Sequence, residues 1–462
     1  MLLRMTEPIR RVLRQLADRF RRPGGPDAGI YHYRRELADR LLRLHLRVER
    51  DGGGLLVVNA SGVLHLNSTA TFLTKLILDG MAREEAVAEI RKVYKAPPDT
   101  VGTDFDRITA IVKELEAAED ACPVWRLDVE DEQPFARNVM SPYRADLALN
   151  YTCNNQCMHC YVARKADEKT PLSTEQWKEV LDRLWEAGVP HVCFTGGEAT
   201  LSPSLVELVE RAEDVGQITG LLTNGRRLSD RDFVRRLCEA GLDHVQITLE
   251  SHERAVHDKM VGAAGAFDET VQGIRNAIDD NIYLLTNTTI CALNADGIER
   301  TVEFIASLGV RQFAMNSFIQ TGAAPASGLG LTETELEDVL ERVVVAAEDA
   351  GLRFIWYTPT RYCRFNPSEF GIGLKRCTAG EYNICIEPDG DVIPCQSYYE
   401  PVGNILRDSW PKIWDSDLFR RIRTRAEASE QCRECPDFTV CGAGCPLSKG
   451  ERFLCTDSTS ET

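Results

Sequence analysis

The sequence lacks any long apolar run, since its longest, Val343–Ala347, has only five residues, far fewer than the roughly 18 of a membrane span. It lacks a recognisable secretion signal, because the seven arginines within residues 1–26 are not followed by an apolar segment. It also lacks a basic surplus: the net charge is −17, and because residues 1–26 contribute +5, the remainder carries −22. These absences predict a cytoplasmic protein that binds neither nucleic acid nor a membrane surface.

Cysteine, by contrast, is plentiful, with sixteen in 462 residues. That density is far below that of a small disulfide scaffold, and a reducing cytoplasm would keep these residues as thiols. Three cysteines fall within residues 153–160 and nine within residues 363–455. Clustered cysteines in a reducing compartment indicate metal or redox centres.

The first 144 residues divide into three predicted segments. Residues 1–26 alternate arginine with apolar residues and predict a short basic amphipathic helix, either a solvated terminal helix or a contact for a partner. Residues 27–120 form the second segment, in which short strands are predicted over 46–50, 55–60 and 63–66, and helices from Ser68, over 84–94 and over 104–115. Three strands and three helices predict a winged-helix-like unit, and the acidic, proline-containing residues 121–144 predict a linker.

Strands and helices alternate from residue 145 onward. The predicted strands are 145–152, 191–196, 218–224, 244–250, 284–292 and 312–319, with helices starting near 173, 202, 229, 268, 297 and 333. Alternation of this kind indicates a parallel sheet with right-handed crossovers. Six such units are too few for an eight-fold barrel. They predict an α/β fold, a partial (β/α)6 TIM barrel over residues 145–355, with chemistry at the C-terminal ends of the strands.

Cys153, Cys157 and Cys160 follow the first barrel strand with the spacing CxxxCxxC. Three thiolates hold three irons of a 4Fe-4S cluster and leave the fourth iron open, where it can chelate S-adenosylmethionine (SAM). The motif resembles that of the radical SAM superfamily, and the resemblance covers residues 145–320. A structural zinc site with His159 as the fourth ligand is the alternative.

The resemblance also implies which strand-end residues contact SAM. The family's GGE motif, which meets the methionine amino group, is matched at the end of the second strand, and an aromatic residue beside the adenine follows the last cysteine. Relatives carry Ser-x-Asp-Gly at the end of the fourth strand, where contacts to the ribose or carboxylate are implied. The residues that match these positions and the end of the third strand are Tyr161, Gly196, Gly197, Glu198, Thr223, Asn224, Thr248 and Glu250. This chain has Val261 where many relatives place an arginine that pairs with the SAM carboxylate.

The C-terminal cysteines, which follow a predicted linker over residues 356–370, are equally patterned. Seven of them match the SPASM signature within a predicted domain of residues 371–462: Cys377, Cys395, Cys432, Cys435, Cys441, Cys445 and Cys455. The resemblance implies two auxiliary 4Fe-4S clusters, the first held by Cys377, Cys395 and Cys445 and the second by Cys432, Cys435, Cys441 and Cys455. A zinc ribbon built from Cys432, Cys435, Cys441 and Cys445 is the alternative, and it would leave three cysteines unexplained.

The first auxiliary cluster lacks a fourth ligand in this pattern. Cys363 is expected to supply it, because the flanking Arg361 and Arg364 would stabilise a thiolate. Cys385 lies in an apolar run and is expected to be a core residue. An open iron that binds a substrate thiolate is the alternative.

Residues 40–117 resemble the PqqD-like recognition element of enzymes that modify ribosomally synthesised peptides. That resemblance implies that the edge strand 63–66 binds the leader of a precursor peptide as an added strand. Together the resemblances predict an enzyme that uses SAM and three 4Fe-4S clusters, with a flavodoxin or ferredoxin as electron donor, to form a thioether, carbon–carbon or ether crosslink in the precursor. A sulfatase-maturase-like enzyme, a haem or cofactor-biosynthesis enzyme and a zinc-bearing winged-helix regulator remain alternatives. No residue is predicted as a catalytic acid or base.

Overall fold

The computed structural model describes residues 25–36, 41–59, 62–117, 139–162, 169–319 and 321–447. The chain divides into two compact units, Met1–Val129 and Glu130–Thr462. Residues 1–24 of the predicted basic helix 1–26, most of the predicted linker 121–144 and the predicted cluster ligand Cys455 lie outside the described residues.

The N-terminal unit contains a four-stranded antiparallel sheet in the order β1-β2-β3-β4. Its strands are β1 (Gly29–Glu36), β2 (Leu41–Val48), β3 (Gly54–Val58) and β4 (Gly62–Leu66). The sequence predicts the last three strands. β1 was not predicted, and it pairs with the whole of β2.

Three helices follow the sheet, α1 (Ser68–Leu78), α2 (Arg83–Val93) and α3 (Pro98–Ala117). The first begins where predicted because the Asn67 side chain accepts a hydrogen bond of 2.9 Å from the Ala70 N–H, which satisfies a free donor of the first turn. Alternate residues of β2 are buried against apolar residues of the helices, and the shared core comprises Leu42, Leu44, Leu46, Val48, Leu56, Val58, Leu64, Leu78 and Val112.

The second unit contains the predicted parallel sheet with helical crossovers. Its strands are β5 (Arg144–Ala148), β6 (His191–Thr195), β7 (Ile218–Thr223), β8 (His244–Thr248), β9 (Tyr283–Thr289), β10 (Gln312–Asn316) and β11 (Arg353–Trp356). Its helices are α4 (Thr174–Glu186), α5 (Leu205–Val215), α6 (Arg231–Glu239), α7 (Arg254–Val261), α8 (Ala266–Asp279), α9 (Ile298–Ser307), α10 (Ala324–Ser327) and α11 (Glu333–Asp349). The predicted α/β class with a parallel partial barrel is confirmed, and β11 is one strand more than the six predicted.

The C-terminal segment extends the same sheet. It adds β12 (Asn383–Ile386), β13 (Asp391–Ile393), β14 (Gly403–Asn404), α12 (Trp410–Trp414), α13 (Asp417–Arg423), α14 (Glu430–Glu434) and α15 (Phe438–Cys441). Strand β12 pairs in parallel with β5, which gives the ten-stranded order β11-β10-β9-β8-β7-β6-β5-β12-β13-β14. The predicted linker 356–370 therefore joins two parts of one compact unit.

The core of this unit lies between the sheet and its helices, where β-strand residues such as Phe194 and Val245 meet Trp177 and Leu208 of the helices. Among the described residues, no helix is both long enough and apolar enough to cross a membrane.

Candidate active site at the ends of the barrel strands

The three cysteines of the CxxxCxxC motif lie on the loop that follows β5, at the C-terminal end of the strand. All three are free thiols. Burial is the main cause that raises the pKa of Cys157, and the Glu250 carboxylate is the next. Cys160 and Cys153 raise this pKa further, so the three sulfurs lie within electrostatic reach of one another. Three thiols brought together on one loop are the donor set that a 4Fe-4S cluster with an open iron requires, so the residues fit that group. Because burial raises the pKa of all three thiols, metal binding would release protons.

The two glycines of the GGE motif lie against the backbone of the cysteine loop. A Cβ atom on Gly196, whose φ is +139°, would lie 2.2 Å from the Asn150 carbonyl oxygen, and one on Gly197 would lie 2.4 Å from that of Thr152. The N–H groups of Gly197 and Glu198 donate hydrogen bonds of 2.8 Å to these same oxygens. Glycine is therefore required here because the end of β6 and the cysteine loop approach within hydrogen-bonding distance.

The Glu198 carboxylate is buried, with 2% of the residue exposed. One oxygen accepts hydrogen bonds from the N–H and hydroxyl of Thr200, at 3.0 and 2.7 Å, and from the Thr223 hydroxyl, at 2.7 Å. The other accepts from the Asn224 N–H at 2.8 Å. Since a carboxylate has about four acceptor positions, donors of the chain itself already engage this group, and a contact of its carboxylate with the SAM ammonium stays a prediction.

Two more of the predicted residues lie at the end of β8. Thr248 is the last residue of the strand and is half-buried. Glu250 is fully buried, and its carboxylate contacts His159 Nε2 at 2.8 Å and accepts from the Thr289 N–H at 2.8 Å. Burial disfavours the charged imidazole, but Glu250 outweighs it and raises the pKa of His159. One ring nitrogen of His159, the residue considered as a fourth zinc ligand, is therefore engaged by a carboxylate.

Two side chains that sequence reasoning missed, those of Gln396 and Arg226, also hold the cysteine loop. Tyr161 donates its hydroxyl to the Gln396 side chain, which follows Cys395 of the C-terminal segment. Arg226 donates to the Asn155 side chain at 2.9 Å. The sequence carries no signal for these contacts, because they join residues about 70 to 235 positions apart and because no family motif includes Gln396 or Arg226. The predicted contact of Tyr161 with adenine stays a prediction.

The C-terminal cysteines form two groups. Burial raises the pKa of Cys395, and Cys377 and Cys445 raise it further. Burial also raises the pKa of Cys441, and Cys432 raises it further. The predicted division of the ligands between two auxiliary clusters stays a prediction. Free thiols in both groups, Cys435 included, fit iron–sulfur ligation.

The structure places the two additional cysteines differently. Cys385 is 1% exposed and packs with Ala148, Tyr151 and Ile393, as expected of a core residue. Cys363 is exposed and disulfide-bonded, and a disulfide sulfur has no thiolate to give to iron. The N–H of the preceding residue, Tyr362, donates to Cys441 of the second group at 3.4 Å. Ligation of the first auxiliary cluster by Cys363 stays a prediction, and it concerns the reduced protein.

Comparison with known proteins identifies both cysteine-bearing regions. Residues 148–305 match the radical SAM superfamily, and residues 377–436 match SPASM, an iron–sulfur cluster-binding domain. An AdoMet-dependent haem synthase of Oleidesulfovibrio alaskensis is 28% identical over 312 residues, 64% of this chain and 80% of that protein. The sporulation killing factor maturation protein SkfB of Bacillus subtilis is 29% identical over 286 residues, 62% of this chain and 68% of that protein.

Solved structures show the same fold at lower sequence identity. Streptococcus suis SuiB bound to its precursor peptide SuiA has a TM-score of 0.66 and 16% identity, covering 90% of this chain and 96% of that chain. The enzyme anSMEcpe with bound AdoMet and a peptide has a TM-score of 0.53 and 16% identity, covering 68% and 92%. Radical SAM domains use SAM with a 4Fe-4S cluster, and SPASM domains bind auxiliary iron–sulfur clusters. Both matches are to iron–sulfur families, which sets aside the zinc-bearing regulator. The chain therefore contains a radical SAM domain over residues 148–305 and a SPASM iron–sulfur domain over residues 377–436.

Proposed function

We propose that this enzyme modifies a ribosomally synthesised precursor peptide. The observation that carries the proposal is the extent of the fold match, because the fold of peptide-bound SuiB covers 90% of this chain whereas that of anSMEcpe covers 68%. The N-terminal unit is what a maturase with its own leader-binding element requires. The maturation protein SkfB among the relatives supports the same class of reaction.

In this proposal Cys153, Cys157 and Cys160 hold the cluster that, when bound, supplies the electron for cleavage of SAM to the 5′-deoxyadenosyl radical. The GGE segment fixes the cysteine loop against β6 through its two backbone hydrogen bonds. Thr248, half-buried at the end of β8, is proposed to hydrogen-bond the bound SAM.

We assign the two groups of C-terminal cysteines to two auxiliary clusters, with Cys377, Cys395 and Cys445 in the first. A flavodoxin or ferredoxin of the reducing cytoplasm is the proposed electron donor. The thirteen free cysteines among the described residues support that compartment.

The leader peptide is proposed to bind the N-terminal unit by adding a strand to its sheet. β4 lies at one end of the strand order, so its outer backbone groups are the expected site for the leader. Three or four backbone hydrogen bonds at about 1 kcal/mol net each, together with apolar contacts, would give micromolar affinity. Deleting residues 1–129, the whole N-terminal unit, should weaken precursor binding at least tenfold in a titration. Cleavage of SAM without peptide should persist, and unchanged precursor affinity would contradict the leader-binding role.

The haem synthase relatives favour a second candidate, modification of a tetrapyrrole. Incubation with SAM, a reductant and any short peptide encoded beside this gene decides between the two. A precursor lighter by two hydrogen atoms per crosslink supports the maturase. An unmodified precursor together with turnover of a haem intermediate supports the second candidate.

A further inference from the structure

We propose that Glu250 is a positioning residue for the cysteine loop and that it acts through His159, which lies between Cys157 and Cys160. The inference deepens the proposed function, because it rests on the assignment of these cysteines to the SAM-binding cluster. It gives Glu250 a different role from the SAM contact that the family resemblance implies.

The contact itself is short and buried. His159 Nε2 lies 2.8 Å from one Glu250 carboxylate oxygen, and the two side chains are 10% and 0% exposed. The other carboxylate oxygen accepts from the Thr289 N–H at 2.8 Å. Both oxygens thus have partners within the chain, and one of those partners is the residue next to Cys160.

The backbone of Glu250 is anchored independently of its side chain. Its N–H donates to His257 Nδ1 at 3.2 Å, and its carbonyl accepts from the Asn294 side chain at 2.8 Å. Side chains of α7 and of the turn after β9 thus anchor the backbone of Glu250. Its carboxylate therefore has a fixed position and can orient the cysteine loop.

The end of α7, the helix that follows β8, makes further contacts with the cysteine loop. The N–H groups of Gln156 and Met158 donate hydrogen bonds of 2.9 Å to the carbonyls of Val261 and Met260, at the end of α7. A Cβ atom on Gly262 would lie 2.4 Å from the Gln156 carbonyl oxygen, so glycine is needed for this approach. The cysteine loop is thus bonded to the end of β6 through the GGE segment. It also contacts the β8–α7 segment, through the Glu250 side chain and through the carbonyls of Met260 and Val261.

Burial makes the two side chains interdependent. Removing either one leaves its partner buried without its counter-group, so each single change should weaken the loop about as much as the double change. A residue that contacts SAM directly would instead affect the affinity for SAM and leave the loop unchanged. These two patterns separate positioning from ligand contact.

The experiment follows the release of iron to a chelator from the reconstituted full-length enzyme. The variants are Glu250→Gln, His159→Gln and the double variant. A matched control is Glu253→Gln, because Glu253 lies near His252 at 3.5 Å in the same connection and is half exposed. The triple variant Cys153/Cys157/Cys160→Ala defines which fraction of the iron belongs to the SAM-binding cluster.

We expect each single variant to release that iron fraction about tenfold faster, because removing one member of a buried ion pair leaves the other without its counter-group. The double variant should release it no faster than the single variants, and the control should match the parent. Unchanged release with weakened SAM binding overturns the proposal in favour of a SAM contact, and additive effects overturn the pairing. A triple variant with the full iron content of the parent overturns the cluster assignment and this inference with it. Failure of the pairing alone leaves that assignment standing.

Discussion

The Glu198 carboxylate should stabilise the protein as much as any single side chain at the active site. Its four hydrogen bonds link three segments, the end of β6, the turn at Thr200 and the end of β7. Glu198→Ala would leave these donors buried without an acceptor. At 1–3 kcal/mol for each unsatisfied donor, with partial relaxation, we expect a loss of about 5 kcal/mol in the free energy of unfolding.

Glu198→Gln is the sharper test because it preserves the shape of the side chain. Its carbonyl oxygen can still accept from Thr200 and Thr223, but its NH2 group would face the Asn224 N–H, so two donors would meet. We expect a loss of about 2 kcal/mol. The matched control is Glu207→Gln, since that carboxylate is half exposed and pairs only with Lys178, so its removal should cause no measurable loss.

The assay is urea unfolding of the metal-free, reduced protein, monitored by tryptophan fluorescence, because Trp177 is 2% exposed in the barrel core. With a denaturant dependence of about 3 kcal/mol per molar urea, the midpoint should fall by about 0.7 M for Glu198→Gln and about 1.7 M for Glu198→Ala. An unchanged midpoint for Glu198→Gln combined with a tenfold loss of SAM affinity would refute the reasoning. It would show that this carboxylate serves the SAM ammonium.

Three further predictions concern the barrel. Burial, and next the Arg144 guanidinium, lowers the pKa of His244 to about 4. Between pH 6.5 and 4 this histidine is therefore protonated in the unfolded chain and neutral in the folded chain. Stability should fall by about 3 kcal/mol as the pH drops through that window, and His244→Gln should remove this part of the slope in urea midpoints. Gly220→Ala places a Cβ atom 2.4 Å from the His244 ring and 2.6 Å from Cys193 Sγ, so it should cost about 2 kcal/mol; an unchanged thermal midpoint would contradict this packing. Ser173→Ala removes the capping box of α4 and should cost about 1 kcal/mol in the same unfolding assay.

The barrel strands were predictable because each combines an apolar outer face with a position between helical segments. The predicted start of β6, β7, β8 and β10 coincides with the observed first residue. β1 was missed because its sequence, GIYHYRRE, has no apolar alternation, and its pairing with β2 supplies the stability that the local pattern does not. β11 has only four residues, too short for a local signal.

The candidate site was predictable in its residue types but not in its contacts. The spacing of Cys153, Cys157 and Cys160 carries chemical information, since three closely spaced cysteines on one loop can reach the same cluster. The partners of Glu198 and Glu250 carry none, because the bonds from Thr223 to Glu198 and from His159 to Glu250 join residues separated by 25 and about 90 positions. Family motifs show which positions matter, whereas the structure shows what each side chain touches.

The parallel pairing of β12 with β5 has a consequence for the order in which the chain is made. β5 carries the cysteine loop, and β12 is synthesised about 240 residues later, which at 5–20 residues per second takes about 12 seconds or more. Throughout that interval the backbone groups on one side of β5 have no strand beside them, and an unpaired strand of this kind invites pairing between chains. A ribosome-bound intermediate that ends before residue 383 should therefore aggregate more readily than the finished chain.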